Sequence, residues 1–150
     1  MKKYLFAALG FGFFAVSAFG IPDGLIVPGR LKITVDRFDN SRGSALVALY
    51  RKGDKLYSLD TAFRTGRSGI ENGRAVVAFE NLPHGRYAAI AAHDENDNGK
   101  VDHHWYGPPA EQVGLSNGAE FSISTGRPGF EEMAFEYSSA VTAQIIHLKK

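Results

Sequence analysis

Short runs in which apolar and polar residues alternate recur along most of this chain. Leu31–Val35 alternates in this way, and Arg74–Glu80 repeats the pattern with Ala75, Val77 and Phe79 on one side. A period of two residues places the apolar side chains on one face of an extended strand. The chain is therefore predicted to fold mainly as half-buried β-strands.

Three further segments are rich in strand-forming or small residues: Ser44–Tyr50, Arg86–His93 and Ala140–Leu148. The alanines of Arg86–His93 also suit a helix, because alanine is the best helix former. Gly85 and the polar loop that follows leave about eight residues, which is short for a helix and normal for a strand. Ala140–Leu148 is partly apolar on both faces, and we expect it to be a strand buried inside the fold.

The remaining segments carry weaker signals. Arg51–Gly73 mixes apolar, polar and glycine residues and predicts a weak strand with loops, whereas Phe130–Tyr137 predicts a strand. Turn residues such as Asn81–Gly85 separate the segments. About seven strands without a convincing helix predict an all-β fold, a single antiparallel β-sandwich of immunoglobulin-like or prealbumin (transthyretin)-like type.

Composition excludes several classes of protein. The 150 residues suit one domain, and none is cysteine, which excludes disulfide scaffolds, zinc–thiolate sites and thiol catalysis. Lys and Arg number 17 against 16 Asp and Glu, so no basic excess indicates a nucleic-acid partner.

The first 20 residues have the order of a secretory signal peptide. Lys2 and Lys3 precede an apolar run, and small residues follow it. The apolar run is about 13 residues, shorter than the roughly 20 that span a bilayer. We expect cleavage after Ala18 or Gly20, with an uncleaved anchor as the alternative. The expected organisation is a signal peptide (1–20), a linker (21–29) and a β-sandwich domain (30–150), secreted or periplasmic, without membrane insertion after cleavage.

One loop, 94–102, concentrates oxygen-bearing side chains at alternate positions. Calcium loops place ligands at positions 1, 3, 5, 7 and 9, with a glycine at position 6 for the sharp turn and a backbone carbonyl at position 7. Counting from position 1, the corresponding residues here are Asp94, Asn96, Asn98, Gly99, Lys100 and Asp102. Position 12 is Trp105, where an EF-hand has glutamate. A further carboxylate must come from elsewhere, and Glu111 is the nearest later candidate. This spacing predicts a Ca²⁺ site that stabilises the fold.

A metal-free turn is the main alternative to calcium. Asn98-Gly99 is a strong hairpin signal with or without metal, and Asx side chains satisfy turn backbones unaided. A transition metal is a third interpretation, because His93, His103 and His104 lie near the loop. The adjacent His103 and His104 point to opposite faces of a strand, which disfavours one shared ion.

Two further functional classes stay open. A metal-dependent hydrolase could use His93 beside Asp94, with Ser116 or a water molecule as nucleophile. The Ser116 region lacks the strand–turn–helix context of a nucleophile elbow. Alternatively, Trp105 and Tyr106, with His93 nearby, could bind a carbohydrate or a protein partner, unless Trp105 plugs the end of the sandwich.

Several motifs also resemble a known family. Leu82–Asp102 reads L-P-x-G-x-Y-A, a short apolar strand, and then H-D-x-N-x-N-G-K-x-D. Matching elements elsewhere are Gly43, Val47–Tyr50, Gly107–Glu111, Gly114–Asn117, Pro128 and Phe130–Phe135. Together they resemble the domain-of-unknown-function 2141 family from about Leu31 to Leu148. The resemblance implies a secreted or periplasmic bacterial protein with a small β-sandwich and no established activity. Pro108 and Val113 depart from the family pattern.

Overall fold

The computed structural model describes residues 29–102, 110–138 and 141–149. Residues 1–28, which contain the expected signal peptide and most of the expected linker, lie outside these ranges. Within them the strands are β1 (Arg30–Asp36), β2 (Ser44–Tyr50), β3 (Arg64–Gly69), β4 (Arg74–Glu80), β5 (Gly85–Asp94), β6 (Val113–Leu115), β7 (Phe135–Tyr137) and β8 (Val141–His147). The helical elements there are α1 (Phe130–Met133) and the 3-10 turns Leu59–Thr61 and Ser116–Gly118.

The strands form two sheets. One has the order β4-β1-β8, and the other has the order β3-β2-β5-β6, with β7 also paired to β5. In the first sheet Thr34 lies opposite Val76 on one side and Ile145 on the other. The pairing of β1 with β8 is parallel, so the expectation of a wholly antiparallel fold is wrong at this pair. The prediction of an all-β domain is confirmed.

The alternating strands bury one face in a core shared by the two sheets. Leu31, Ile33 and Val35 of β1 are fully buried and belong to the same apolar cluster as Val47 and Leu49 of β2. Each strand contributes every second residue, as the period of two requires. Two sheets that enclose one core have the layered arrangement of a β-sandwich. The immunoglobulin-like or transthyretin-like subtype stays a prediction.

A second apolar cluster covers the outer face of the five-stranded sheet. Ala48 and Tyr50 of β2 and Ala88 of β5 pack there against Met133 and the partly buried Phe130. Strand β2 is consequently buried on both faces along its whole length. This explains why its sequence is a continuous apolar run, since a strand covered on both sides cannot alternate.

Two segments near the C-terminal end differ from expectation. Phe130–Met133, expected as part of a strand, forms one helical turn, and the strand is limited to Phe135–Tyr137. The Glu132 carboxylate accepts a hydrogen bond from the Gly129 N–H at 2.7 Å, which closes the first turn locally. Strand β8, expected inside the fold, lies at the edge of its sheet, with Ile146 buried and Ile145 58% exposed.

Strand β6 was not predicted from the sequence. It pairs with β5 and also bridges to the end of the chain, where Val113 and Lys149 exchange two backbone hydrogen bonds of 3.0 Å. A β-carbon on Gly114 would lie 2.6 Å from the His147 carbonyl oxygen, so this close approach needs glycine. Among the described residues, no helix has the length and apolar character needed to cross a membrane.

Candidate functional site

The 94–102 loop is built around the side chain of Asp94, the last residue of β5. This carboxylate is completely buried. Its Oδ1 accepts a hydrogen bond from the Asn98 N–H at 3.0 Å, and its Oδ2 accepts one from the Gly99 N–H at 2.8 Å. A buried carboxylate needs such donors, since an unpaired buried charge is costly. Asp94 therefore determines where the loop turns.

Two asparagines continue the same local pattern along the loop. Asn96 Oδ1 accepts a bond from the Asn98 N–H at 3.0 Å, and Asn98 Oδ1 accepts one from the Lys100 N–H at 2.8 Å. These are Asx turns, in which a side chain takes the place of a backbone carbonyl. Asp97 and Gly99 have positive φ angles of 58° and 76°, which let the chain reverse within a few residues.

Side chains at the predicted inward positions meet at Asp102. The Asn96 amide donates to Asp102 Oδ2 at 2.7 Å, and the Asn98 amide donates to both carboxylate oxygens at 3.1 and 3.0 Å. Positions 3, 5 and 9 of the predicted calcium loop are thus adjacent in space.

Glu111, the predicted additional carboxylate, joins the loop from outside it. Its Oε1 accepts the Glu95 N–H and its Oε2 accepts the Asp102 N–H, both at 3.1 Å. Burial raises the pKa of Glu111, the nearby charges of Asp102 and Asp94 raise it further, and the two N–H donors oppose the rise. Glu111 therefore ties the start of the loop to its end and places a further carboxylate beside it.

The side chains that the sequence predicted as calcium ligands are amides and carboxylates together. In the part of the chain that the structure describes, no three Asp, Glu, His or Cys side chains are grouped so that they could hold a metal ion. Any ion at this loop would need the amide or backbone oxygens as well. Calcium accepts such mixed oxygen ligands.

An open cleft of about 340 Å³ lies against the loop. Its lining consists of Arg42, Glu95, Asn96, Asp102, Ala110 and Glu111. Asn96, Asp102 and Glu111 therefore face a space that solvent can enter.

Arg67 of β3 is a site residue that the sequence analysis missed. Its Nη2 lies 3.0 Å from Asp94 Oδ2 and 2.6 Å from Asp97 Oδ1. The same guanidinium donates to Ser44 Oγ, which itself donates to Asp97 Oδ1 at 2.8 Å. Arg67 precedes Asp94 by 27 residues, and no local sequence signal joins them.

The turn before β2 supports the loop from its other side. His93 is 2% exposed, and its Nε2 lies 2.8 Å from the Arg42 carbonyl oxygen. The His93 ring also packs edge-on against Phe38, with 5.1 Å between centroids. Arg42 in turn pairs with Glu95. The structure thus places His93 in a packed interior position, bonded to a loop carbonyl.

Ser116 and His93, the residues of the hydrolase hypothesis, are not brought together. Ser116 is buried, and its hydroxyl accepts the Ala89 N–H at 2.9 Å and donates to the Met133 carbonyl at 2.6 Å. Ala89 precedes His93 by four positions on the same strand, a separation of about 13 Å. His103, His104, Trp105 and Tyr106 lie outside the described residues.

These features define the class of protein as a two-sheet all-β domain with one Asx-rich loop at the end of a central strand. The family model described as "Uncharacterized protein conserved in bacteria (DUF2141)" matches residues 33–145. The chain belongs to this family, as its motifs led us to expect. Comparison with curated proteins gave no match, and comparison with solved structures gave none.

Proposed function

We propose that the protein is an exported, non-enzymatic β-sandwich domain whose 94–102 loop binds Ca²⁺, and that the bound ion stabilises the fold. The observation that carries this proposal is the meeting of the Asn96 and Asn98 amides at the Asp102 carboxylate. Amide and carboxylate groups within hydrogen-bond distance of one another are close enough to share an ion once the amide oxygens are turned toward it.

Calcium binding requires a specific rearrangement of the two asparagines. Their amide nitrogens face Asp102, and only an amide oxygen can be a metal ligand. Rotation of each amide would turn its oxygen toward the carboxylate and would break the hydrogen bond that this oxygen accepts in its Asx turn. The ion would then replace the amide N–H groups as the positive partner of Asp102. Asp94, Glu111, the Lys100 carbonyl and water would complete the six to eight oxygens that calcium takes.

The cleft beside the loop supports this assignment. Asn96, Asp102 and Glu111 line it, so an ion could enter from solvent and keep water ligands. Glu111 accepts hydrogen bonds from backbone groups at both ends of the loop. An ion bound to the Glu111 carboxylate would therefore strengthen the connection between the two ends.

The mechanism is linkage between binding and folding. The unfolded chain does not hold the ligands together, so calcium binds the folded state preferentially. Stability then rises as RT ln(1 + [Ca²⁺]/Kd), about 2.7 kcal/mol at a hundredfold excess over Kd. Residues 1–20 support export to a compartment outside the cytoplasm.

The test is thermal unfolding of the purified protein in millimolar CaCl₂ and in chelator. We expect a higher Tm with calcium for the wild type and little or no calcium effect for Asp102→Asn, which removes one charge at constant shape. Asp60→Asn is the matched control, because Asp60 is an exposed carboxylate in the 3-10 turn Leu59–Thr61, outside the loop. An equal Tm for the wild type in both buffers would exclude a calcium site.

A further inference from the structure

Arg67 is the positive charge that the structure places on the loop. Its guanidinium contacts Asp94 and Asp97 together. A β-carbon on Gly99 would lie 3.8 Å from Arg67 Nη1, so the guanidinium also lies beside the Gly99 backbone of the loop. An arginine on β3, separated from β5 by the intervening strand β2, thus contacts the same carboxylate that organises the loop.

The exposure of the two partners is very unequal. The Asp94 side chain is 0% exposed and that of Arg67 is 42% exposed. A fully buried carboxylate depends on its partners, whereas a half-exposed guanidinium can exchange them for water. Asp94 therefore needs a cation or donors at all times, and Arg67 can move away.

We propose that Arg67 is the built-in cation of this loop and regulates calcium binding by competing for the charge of Asp94. This inference rests on the proposed function, since it concerns the same ion. Arg67 holds the loop in shape without metal and repels an incoming divalent ion. The site is consequently tuned to respond to high calcium concentrations rather than to traces.

The size of the effect follows from Coulomb's law. A unit charge and a divalent ion about 5 Å apart, in surroundings close to water, repel enough to weaken binding about tenfold. Salt weakens this repulsion between the guanidinium and the ion, because Arg67 is partly exposed. The competition is therefore measurable in low-salt buffer.

The experiment compares three variants in low-salt buffer by calcium titration, followed by Tm and by calorimetry. Arg67→Gln removes the charge, and Arg67→Lys keeps the charge while losing the planar guanidinium. Arg64→Gln is the control, since it removes an arginine from the same strand that packs near Phe63 instead of the loop. We expect Arg67→Gln to have a Tm about 5 °C lower in chelator and a half-saturating calcium concentration about tenfold lower than the wild type.

The lysine variant separates charge from loosening of the loop. Arg67→Lys should keep a calcium affinity within about threefold of the wild type, although its metal-free Tm also falls. Equal half-saturating concentrations for Arg67→Gln and the wild type would overturn the inference while leaving the calcium site intact. A calcium effect in Arg67→Gln but none in the wild type would support competition and refute calcium binding by the native protein. If neither responds to calcium, both proposals are wrong. If Arg67→Gln is unfolded in chelator, calcium-driven refolding gives its half-saturating concentration.

Discussion

The α-carbon of Gly43 lies against the backbone carbonyl of Asp94, so closely that a β-carbon on Gly43 would sit 2.0 Å from the carbonyl oxygen. The Glu95 carbonyl oxygen would be 2.7 Å from the same atom. Gly43 also has a φ of 66°, which side-chain-bearing residues rarely adopt. The turn before β2 and the start of the Asx-rich loop are therefore packed backbone to backbone.

Replacement of Gly43 should disrupt this contact. Gly43→Ala is expected to lower the free energy of unfolding by about 3 kcal/mol or more, because the strained φ and the backbone clash add. Gly53→Ala is the matched control, since Gly53 also has a positive φ, of 98°, but open space around its α-carbon. Gly53→Ala should lower the free energy of unfolding by only about 1 kcal/mol. Urea denaturation measures the free energy of unfolding of both variants, and an equal loss of stability in the two would refute the clash at Gly43.

Replacement of Asp94 should cost much more stability than replacement of Asp97, although both carboxylates contact Arg67. Asp94→Ala leaves the Asn98 and Gly99 N–H groups without their acceptor, so we expect a loss of about 3 kcal/mol and no remaining calcium effect. Asp97 is 59% exposed, and Asp97→Ala should cost about 1 kcal/mol or less and keep most of any calcium effect. Chemical denaturation with and without calcium measures both quantities. Similar losses in the two variants would contradict the central role of Asp94.

Alkaline pH should destabilise the fold through its buried tyrosines. Burial raises the pKa of Tyr50 from 10.0 to about 12, and the nearby Tyr57 and Asp54 add to the rise. Because the folded state holds this proton more tightly, its stabilising contribution is complete below pH 10 and is lost as pH rises toward 12. Tyr50→Phe removes only one long hydrogen bond, 3.3 Å to the Ser58 carbonyl. Its stability should match the wild type at pH 7 within about 1 kcal/mol and fall less between pH 10 and 12. If the stability of Tyr50→Phe and that of the wild type fell equally between pH 10 and 12, the role of Tyr50 would be refuted.

Export predicts a defined mature N-terminus. When the full chain is expressed in a bacterium with a periplasm, intact mass measurement of the exported protein should show a first residue of Phe19 or Ile21. Phe13→Arg interrupts the apolar run and should leave an unprocessed chain in the cytoplasm. A wild-type chain that keeps Lys2 and Lys3 would contradict the prediction.

Local patterns predicted the parts of the fold that depend on local geometry. Alternation identified β1 and β4, because side-chain direction in a strand depends only on residue parity. Spacing likewise predicted that Asn96, Asn98 and Asp102 share one side of their loop, since Asx turns act over two residues. In the structure the Asn96 and Asn98 amides contact Asp102, and the calcium site itself stays a prediction.

Contacts between distant segments were beyond the reach of those patterns. The parallel pairing of β1 with β8 joins residues that are more than 100 positions apart. Neither strand has a sequence pattern that indicates which strand it pairs with. Arg67 belongs to a segment expected only as a weak strand, and its register against β2, with Leu46 opposite, brings it toward Asp94. The helical turn of α1 is held by the Glu132 contact with Gly129 and by hydrogen bonds from the distant Ser116 and Asn117 to its carbonyl groups, none of which the strand-like alternation of Phe130–Tyr137 indicates.

The pairing of β1 with β8 limits the order in which the strands of the smaller sheet can fold. Among the strands that the structure describes, the central strand of the smaller sheet comes first along the chain, and one of its two partners comes last. A nascent chain therefore carries β1 with one side unpaired until β8 has been synthesised. Closure over such a distance is slow relative to local hairpins, so the pairing of β1 with β8 should be one of the last contacts to form during folding.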